Sequence, residues 1–309
     1  MTKEKILLTG AGGQLGRVIA DALSERYPKS SILVSDIRAF ETSYQFERLD
    51  VTDYKSLEEI VDSANISQIY HLAAILSAKG EESPLWTQKI NTMGLLNVLE
   101  VSRKKGLQKV FFPSSIAVFG KGANLDEVNQ QEPLLPTTVY GINKVNGELW
   151  AQYYFKRYGL DVRSVRYPGV IGYQTAPGGG TTDYAVEVFH QAIKNKNFSC
   201  FLEPDTTLPM IYMDDAIRAT MELMHAPTEQ ISVRTSYNLA GCSFSPKELF
   251  EAIRNEYPGL TVDYKPDFRQ KIASSWPKVV NDQKAREDWN WQPKYDLPAI
   301  VNDMFKHLS

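Results

Sequence analysis

Residues 5–27 read KILLTGAGGQLGRVIADALSERY. A short apolar run ends in glycine, three glycines recur at Gly10, Gly13 and Gly16, and the sequence then takes up the apolar spacing of a helix. Glycine is costly to order, so glycines at these positions need a cause. Between a strand and a helix they let the backbone turn tightly and let the helix N-terminus approach a pyrophosphate through its unpaired N–H groups. A glycine triplet elsewhere would carry little weight. Here it stands in the context its mechanism requires.

Asp36 ends the next apolar run, SILVSD, twenty positions after Gly16. A carboxylate there accepts hydrogen bonds from both ribose hydroxyls and repels a 2′-phosphate, which favours NAD over NADP even with Arg38 close by. Strand-like FERLDV follows, then the helix-like DYKSLEEIVDSAN with Asp53 at its N-cap, then the strand QIYHLAA. A long helix is expected over about 84–105, a fifth strand in KVFFPSS, a second long helix over 139–158 and a sixth strand in DVRSVRYPG. Strands alternating with helices imply parallel βαβ units. The expected fold is α/β: a Rossmann-type doubly wound parallel sheet over 1–170, with a smaller C-terminal α/β substrate-binding part over 171–309. A strand and helix near 209–225 return to the first domain. Asp50, after the third strand, is placed to reach an adenine amino group, and the small residues of HLAA (71–74) let backbone pass close to a dinucleotide.

The chain has 309 residues, a net charge of −3, 43% hydrophobic and 23% charged residues. That is an ordinary globular composition, and the charge argues against nucleic acid or an anionic membrane as partner. Cys200 and Cys242 sit in apolar stretches and read as buried thiols. The four histidines are scattered, so no metal is expected. The N-terminus runs directly into the first strand with no targeting segment, and a cytoplasmic location is expected.

VYGINKVNGE (139–148) places Tyr140 and Lys144 four residues apart on one helix face. An ammonium beside a phenol stabilises phenolate and lowers the phenol's pKa toward use as a general base. Ser114 and Ser115 end the fifth strand, where a hydroxyl orients a substrate oxygen against Tyr140. Asn91, inside the preceding helix, is read as holding a water against Lys144.

Gly10–Gly13–Gly16, Asp36, Asp50, HLAA, NTMGLLNVLE, PSSIAVFG, YGINK and RYPGVIG occur in an order that resembles the extended short-chain dehydrogenase/reductase family over nearly the whole chain. The resemblance implies Tyr140 as base, Lys144 as its electrostatic partner and Ser115 as the hydroxyl. The expected cofactor contacts are Gly10, Gly13, Gln14, Leu15, Gly16, Asp36, Ile37, Arg38, Asp50, Val51, Leu72, Ala73, Ala74, Asn91, Tyr140, Lys144 and Tyr167. Nucleotide-sugar members usually carry Asn where this chain has Pro168, which offers no side-chain donor and no N–H. RYPGVIGYQTAPGGGTTDYA, PMIYMDDAIRATMELM and SSWPKVVND instead resemble the short-chain, epimerase-like branch that oxidises L-threonine at its 3-hydroxyl with NAD, although Gly172 stands where several relatives have Ser. Ser77, Ser115, Tyr140, Thr181, Thr182 and Trp276 are then the expected substrate contacts, with Trp276 as a lid. PGGGTTDYA (177–185) is expected to be a mobile clamp whose helix N-terminus and Thr181 meet the threonine carboxylate, and Asp183 is a candidate for the ammonium. The resemblance also implies a homodimer through helices 84–105 and 139–158, where Leu95, Leu99, Trp150, Tyr154 and Tyr158 supply apolar surface. The competing readings are a nucleotide-sugar epimerase or dehydratase, disfavoured by Pro168, and a non-catalytic NAD sensor, disfavoured by the intact Ser115, Tyr140 and Lys144.

Overall fold

A computed structural model describes residues 4–308 except 175, 177, 179, 195 and 196. Six parallel strands form the main sheet: β1 (Ile6–Thr9), β2 (Ile32–Asp36), β3 (Gln45–Arg48), β4 (Gln68–His71), β5 (Lys109–Phe111) and β7 (Asp161–Arg163), in the order β3-β2-β1-β4-β5-β7. The order reverses at β1 and β4, and Leu72 N donates to Thr9 O at 3.0 Å just beyond their paired ends. That reversal is the crevice in which open α/β sheets take their ligands.

Helices α1 (Gln14–Ser24), α2 (Tyr54–Ser63), α3 (Ser77–Glu82), α4 (Pro84–Gln88), α5 (Gly94–Lys105) and α6 (Val139–Tyr158) cross between these strands. Side chains of β1 divide with the strand period. Ile6 and Leu8 enter a core shared with α1 and with α8 (Met213–His225), whereas Leu7 enters a core shared with α2, α5 and α6. Asp53 caps α2 by accepting from Lys55 N and Ser56 N, as its position implies.

Two expected strands are broken. KVFFPSS is β5 followed by a separate strand, β6 (Ser114–Ser115), and DVRSVRYPG is β7, β8 (Val165–Tyr167) and β9 (Gly169–Ile171). Pro113 and Pro168 sit at two of these breaks, where a residue without an N–H cannot continue a ladder. The freed pieces build small sheets with the C-terminal half. β6 and β8 join β12 (Tyr237–Asn238), and β9 joins β11 (Leu208–Tyr212) and β13 (Cys242–Phe244), while β10 (Phe198–Cys200) pairs with β14 (Val262–Tyr264). The expected long helix over 84–105 is α4, a π-helical turn at Lys89–Met93, and α5.

The C-terminal half forms a third core with α7 (Tyr184–Ile193), α9 (Pro246–Glu256), α10 (Phe268–Ala273) and α12 (Leu297–Leu308). Ser245 and Glu248 close a capping box on α9, with Pro246 in its first turn. More of this half returns to the main sheet than the sequence implies: Ile231, Tyr237, Leu239 and the residues Ala285, Trp289 and Trp291, on and just past α11 (Gln283–Trp289), share the β1–α8 core. Both cysteines are free. Cys200 is buried, but Cys242, on a strand of a small sheet, is only half-buried. No described helix is long and apolar enough to cross a membrane.

Asp161 pins the outer strand. Its carboxylate meets Arg163 Nη2 and Arg234 Nη1, each at 2.7 Å, and Thr228 Oγ1 at 2.9 Å; Arg163 also donates to the carbonyls of Leu223 and Ala226. Burial alone would raise this carboxyl's pKa, but the bonds and charges of Arg163, Thr228 and Arg234 hold it below the usual 3.8. Asp161→Asn leaves two buried guanidinium groups uncompensated and is expected to cost about 3–5 kcal/mol of stability in urea unfolding at neutral pH. The wild-type carboxylate is ionised in both folded and unfolded chains above its unfolded pKa, so its contribution is full there. It is lost as pH falls through the lower folded value, so the two proteins should converge in acid.

Candidate active site

At the mouth of the crevice Gly10 takes φ +68°, and a Cβ on it would lie 2.5 Å from Ala73 N. The close approach of the glycine turn to the HLAA segment therefore depends on the missing side chain. Gly16 is closed in the same way by the Ala11 backbone. α1 begins at Gln14 with exposed Gly13 as its N-cap, and no side chain caps its first N–H groups. That end is suited to an anion. Asp36 faces the turn, accepting from Gly12 N at 3.0 Å and from Arg38 N at 3.3 Å. Beside it Ile37 is exposed. Asp50 is exposed and turns one oxygen to Thr52 N and Oγ1, while Val51 is buried against Gly94. Gln14, Leu15, Leu72, Ala73 and Ala74 are half-buried along the same mouth. The uncapped helix end, the glycine turn and the Asp36 carboxylate are the donor and acceptor set that a dinucleotide requires.

Farther into the crevice, α6 carries Tyr140 and Lys144. Lys144 Nζ donates to Pro113 O at 2.6 Å and lies 4.8 Å from the centre of the Phe112 ring and 5.3 Å from that of Tyr140. Ser115 Oγ accepts from Ala117 N at 3.2 Å, and the Ser115 hydroxyl is near enough to the Tyr140 phenol to lower its pKa. Ser114, its neighbour, donates to buried Glu148 at 2.6 Å and is turned away from this group. Expectation and structure differ on the phenol. Desolvation pushes the Tyr140 pKa up to about 12, against the lowering effect of Ser115, and desolvation brings Lys144 down to about 7. Burial outweighs the pairing in the protein alone.

Ser77 and Thr181, both buried and 104 residues apart, meet at 3.3 Å between hydroxyls. α3, which starts at Ser77, is tied to the first turn of α6 by Glu81, which accepts from Val139 N at 2.8 Å. Thr182 packs its methyl toward Gly169. Asp183 accepts from Gly180 N at 2.8 Å, bringing its own negative charge to the turn expected to receive a substrate carboxylate. Of the glycine run, Gly178 lies beside Leu76; Pro177 and Gly179 fall outside the described residues.

Three expected contacts have surroundings that the sequence does not reveal. The Asn91 amide accepts from Ile75 N at 2.8 Å and donates to Ile75 O at 3.0 Å, which ties this side chain to the backbone leaving β4. The Tyr167 hydroxyl is buried against Thr220 of α8, and its side chain is core. Trp276 is buried in the C-terminal core against which Tyr140 packs.

Residues 6–240 match the model of the NAD dependent epimerase/dehydratase family. The chain belongs to that family. It is 45% identical over 307 residues to the mitochondrial L-threonine 3-dehydrogenase of Bos taurus, covering 98% of this chain and 82% of the relative. Among solved structures it is similar to the holo form of the GalE-like L-threonine dehydrogenase from Cupriavidus necator, at a TM-score of 0.97 and 48% identity, covering 99% of this chain and all of that one. A monomeric L-threonine 3-dehydrogenase of metagenomic origin matches at 0.96 and 45%, with 98% of each chain covered.

For this member of the epimerase/dehydratase family, several supports of the site were not visible in the sequence reading. Thr9 Oγ1 bonds His71 Nδ1 at 2.8 Å beneath the crevice. Desolvation, helped by the nearby Lys144 charge, lowers the His71 pKa to about 3, so the imidazole is neutral. Gly141 lets α6 touch the turn after Ser115, since a Cβ on it would lie 2.2 Å from Ala117 O. Glu148 follows Lys144 by one helical turn and stands within the motif already quoted, but only the fold reveals its buried partner, Arg166.

Proposed function

We propose that this protein is an NAD-dependent L-threonine 3-dehydrogenase, which oxidises the 3-hydroxyl to give 2-amino-3-oxobutanoate. The observation that carries the reading is the gathering of Ser115, Tyr140 and Lys144 at the end of the crevice, with the Ser77–Thr181 pair tied through α3 to the same helix. The names of the similar proteins agree with it. Bound NAD would supply the hydride acceptor and a cationic ring. Gly10, Gly13, Gly16 and Asp36 would hold it.

Tyr140 takes the substrate hydroxyl proton as hydride leaves the carbon. Ser115 holds the oxygen, and Lys144, fixed by Pro113 O, stabilises the phenolate. Ser77 and Thr181 bind the carboxylate, and Asp183 bears the charge suited to the ammonium. Two electrons and one proton pass to NAD, and the second proton leaves through Tyr140. The test is purified protein with NAD and L-threonine, followed by NADH absorbance. NADH formation is expected, and none above background would refute the reading.

Asp36 sets cofactor choice. Asp36→Ser is expected to raise the KM for NAD by roughly tenfold to a hundredfold, through the loss of charge-assisted hydrogen bonds to the ribose, and to make NADP usable. Steady-state kinetics with both cofactors measure this, and unchanged discrimination would remove Asp36 from that role.

A homodimer is part of the proposal. Leu95, Leu99 and Tyr154 are core, but Ile142, Leu149, Tyr153 and Tyr158 on α6 remain 53%, 58%, 46% and 45% exposed. The first three lie along one helical stripe. Light scattering should give twice the chain's 34.9 kDa, and Leu149→Glu should halve it. A monomeric wild type, as in the metagenomic relative, would refute the homodimer. The bovine relative is named as mitochondrial, so a cytoplasmic location does not follow from the family.

A further inference from the structure

Glu148 and Arg166 form an ion pair with almost no solvent contact. Arg166 Nη2 meets Glu148 Oε2 at 2.7 Å and Nε meets Oε1 at 2.9 Å. Oε1 also accepts from Ser114 at 2.6 Å. The remaining arm of Arg166 donates to Gln130 O at 3.1 Å and Asn238 Oδ1 at 3.0 Å. A buried ion pair is weak evidence for stability, because well-packed apolar residues would serve as well or better. Its placement therefore calls for another reason.

That placement is specific. Glu148 lies one turn after Lys144 on α6. Ser114 is joined to Ser115 in β6, which pairs with β8 in the register Ser114–Arg166 and Ser115–Tyr167. The pair thus bolts the strand that carries Ser115 to the helix that carries Tyr140 and Lys144. Around the ammonium, the other groups are the Tyr140 phenol from the same helix, the Pro113 carbonyl and Phe112 ring from the β5–β6 link, and neutral His71 from β4. Glu148 is the anionic group acting on it.

We propose that Glu148, held by Arg166 and Ser114, is a positioning residue of the reaction: it fixes Ser115 against α6 and favours the charged form of the Lys144 ammonium in a buried site. Burial drives Lys144 toward its neutral form, and the Glu148 carboxylate opposes that drive. Among the described residues, Lys144 is the cation that lies over the Tyr140 ring, so loss of its charge removes that support for phenolate.

The chemical role of Lys144 rests on the proposed dehydrogenase reading, but its ionisation can be read without substrate. Protein labelled with 13C at the lysine ε-carbon is titrated by NMR, with the Lys144 signal assigned by its loss in Lys144→Met. Glu148→Gln is expected to lower the Lys144 pKa by about one unit and to move the rising limb of kcat/KM to higher pH. Glu148→Asp, which keeps the charge, is expected to keep the titration near the wild-type value. If Glu148→Gln does not fold, Glu148→Gln/Arg166→Gln removes both charges together and should show a smaller downward shift, because loss of the Arg166 charge acts in the opposite direction. A Lys144 titration that does not move in the folded variant overturns the proposal, since a merely structural bolt would change stability and leave that titration in place. If wild type forms no NADH from threonine, the substrate reading fails while the NMR arm still decides the role of Glu148.

Discussion

Tyr140→Phe is expected to lower kcat for threonine oxidation by about a thousandfold, within the 10²–10⁴ that a positioned general base supplies, while NAD still binds with near wild-type affinity. The substitution removes one oxygen and keeps the ring that packs against the C-terminal core. The glycine turn and Asp36 lie at the other end of the crevice and keep their contacts. Stopped-flow NADH formation gives the first quantity and fluorescence titration with NAD the second. The pH dependence is the sharper measurement. With the phenol pushed up to about 12 in the protein alone, wild-type kcat/KM should rise toward alkaline pH as Tyr140 loses its proton. The residual rate of Tyr140→Phe should lose that rise. A variant that retained turnover would remove Tyr140 from the chemistry.

Gly141→Ala is expected to cost about a hundredfold in kcat/KM by moving α6. Alanine ordinarily strengthens a helix over glycine by about 1 kcal/mol, so helix propensity predicts the opposite sign. Here the new carbon would lie 2.2 Å from Ala117 O and 2.6 Å from Pro136 Cβ. Ala117 N donates to Ser115 Oγ, so the contact presses on the turn that orients the serine. Relief requires a retreat of about 1 Å, and a misplacement of that size is enough for a hundredfold loss. Overpacking should also lower stability by about 1–3 kcal/mol. Kinetics and urea unfolding together test this, and full activity in a more stable variant would contradict the packing argument.

The main sheet was legible because its signals are local: an apolar run, glycines, then helical spacing, repeated. The placement of Asp36 by the glycine turn and of Tyr140 beside Lys144 was legible because each sits at a fixed offset from such a signal. What was not legible depended on partners distant in sequence. Asn91 reads as an unattached helix-interior amide until its oxygen and its nitrogen are each found bonded to the Ile75 backbone. Tyr167 belongs to a motif expected beside a cofactor, yet its hydroxyl meets Thr220 on a helix that returns from the second half. Glu148 and Ser114 lay in quoted motifs, but a buried ion pair with Arg166 is a tertiary fact. The phenol's displacement upward has the same origin, since desolvation depends on everything packed around the ring.

The Asn91 clamp on Ile75 has a consequence for the shape of the crevice. A carboxamide has the same donor and acceptor as a peptide group, so one side chain from the π-helical turn serves Ile75 as a neighbouring strand would. The chain leaving β4 can thus depart from the sheet at Ile75 without an unpaired backbone group and without a strand laid alongside to fill the gap. Asn91 is a counterfeit strand one residue long. Its economy of width leaves the lane between the glycine turn and α6 open to a ligand.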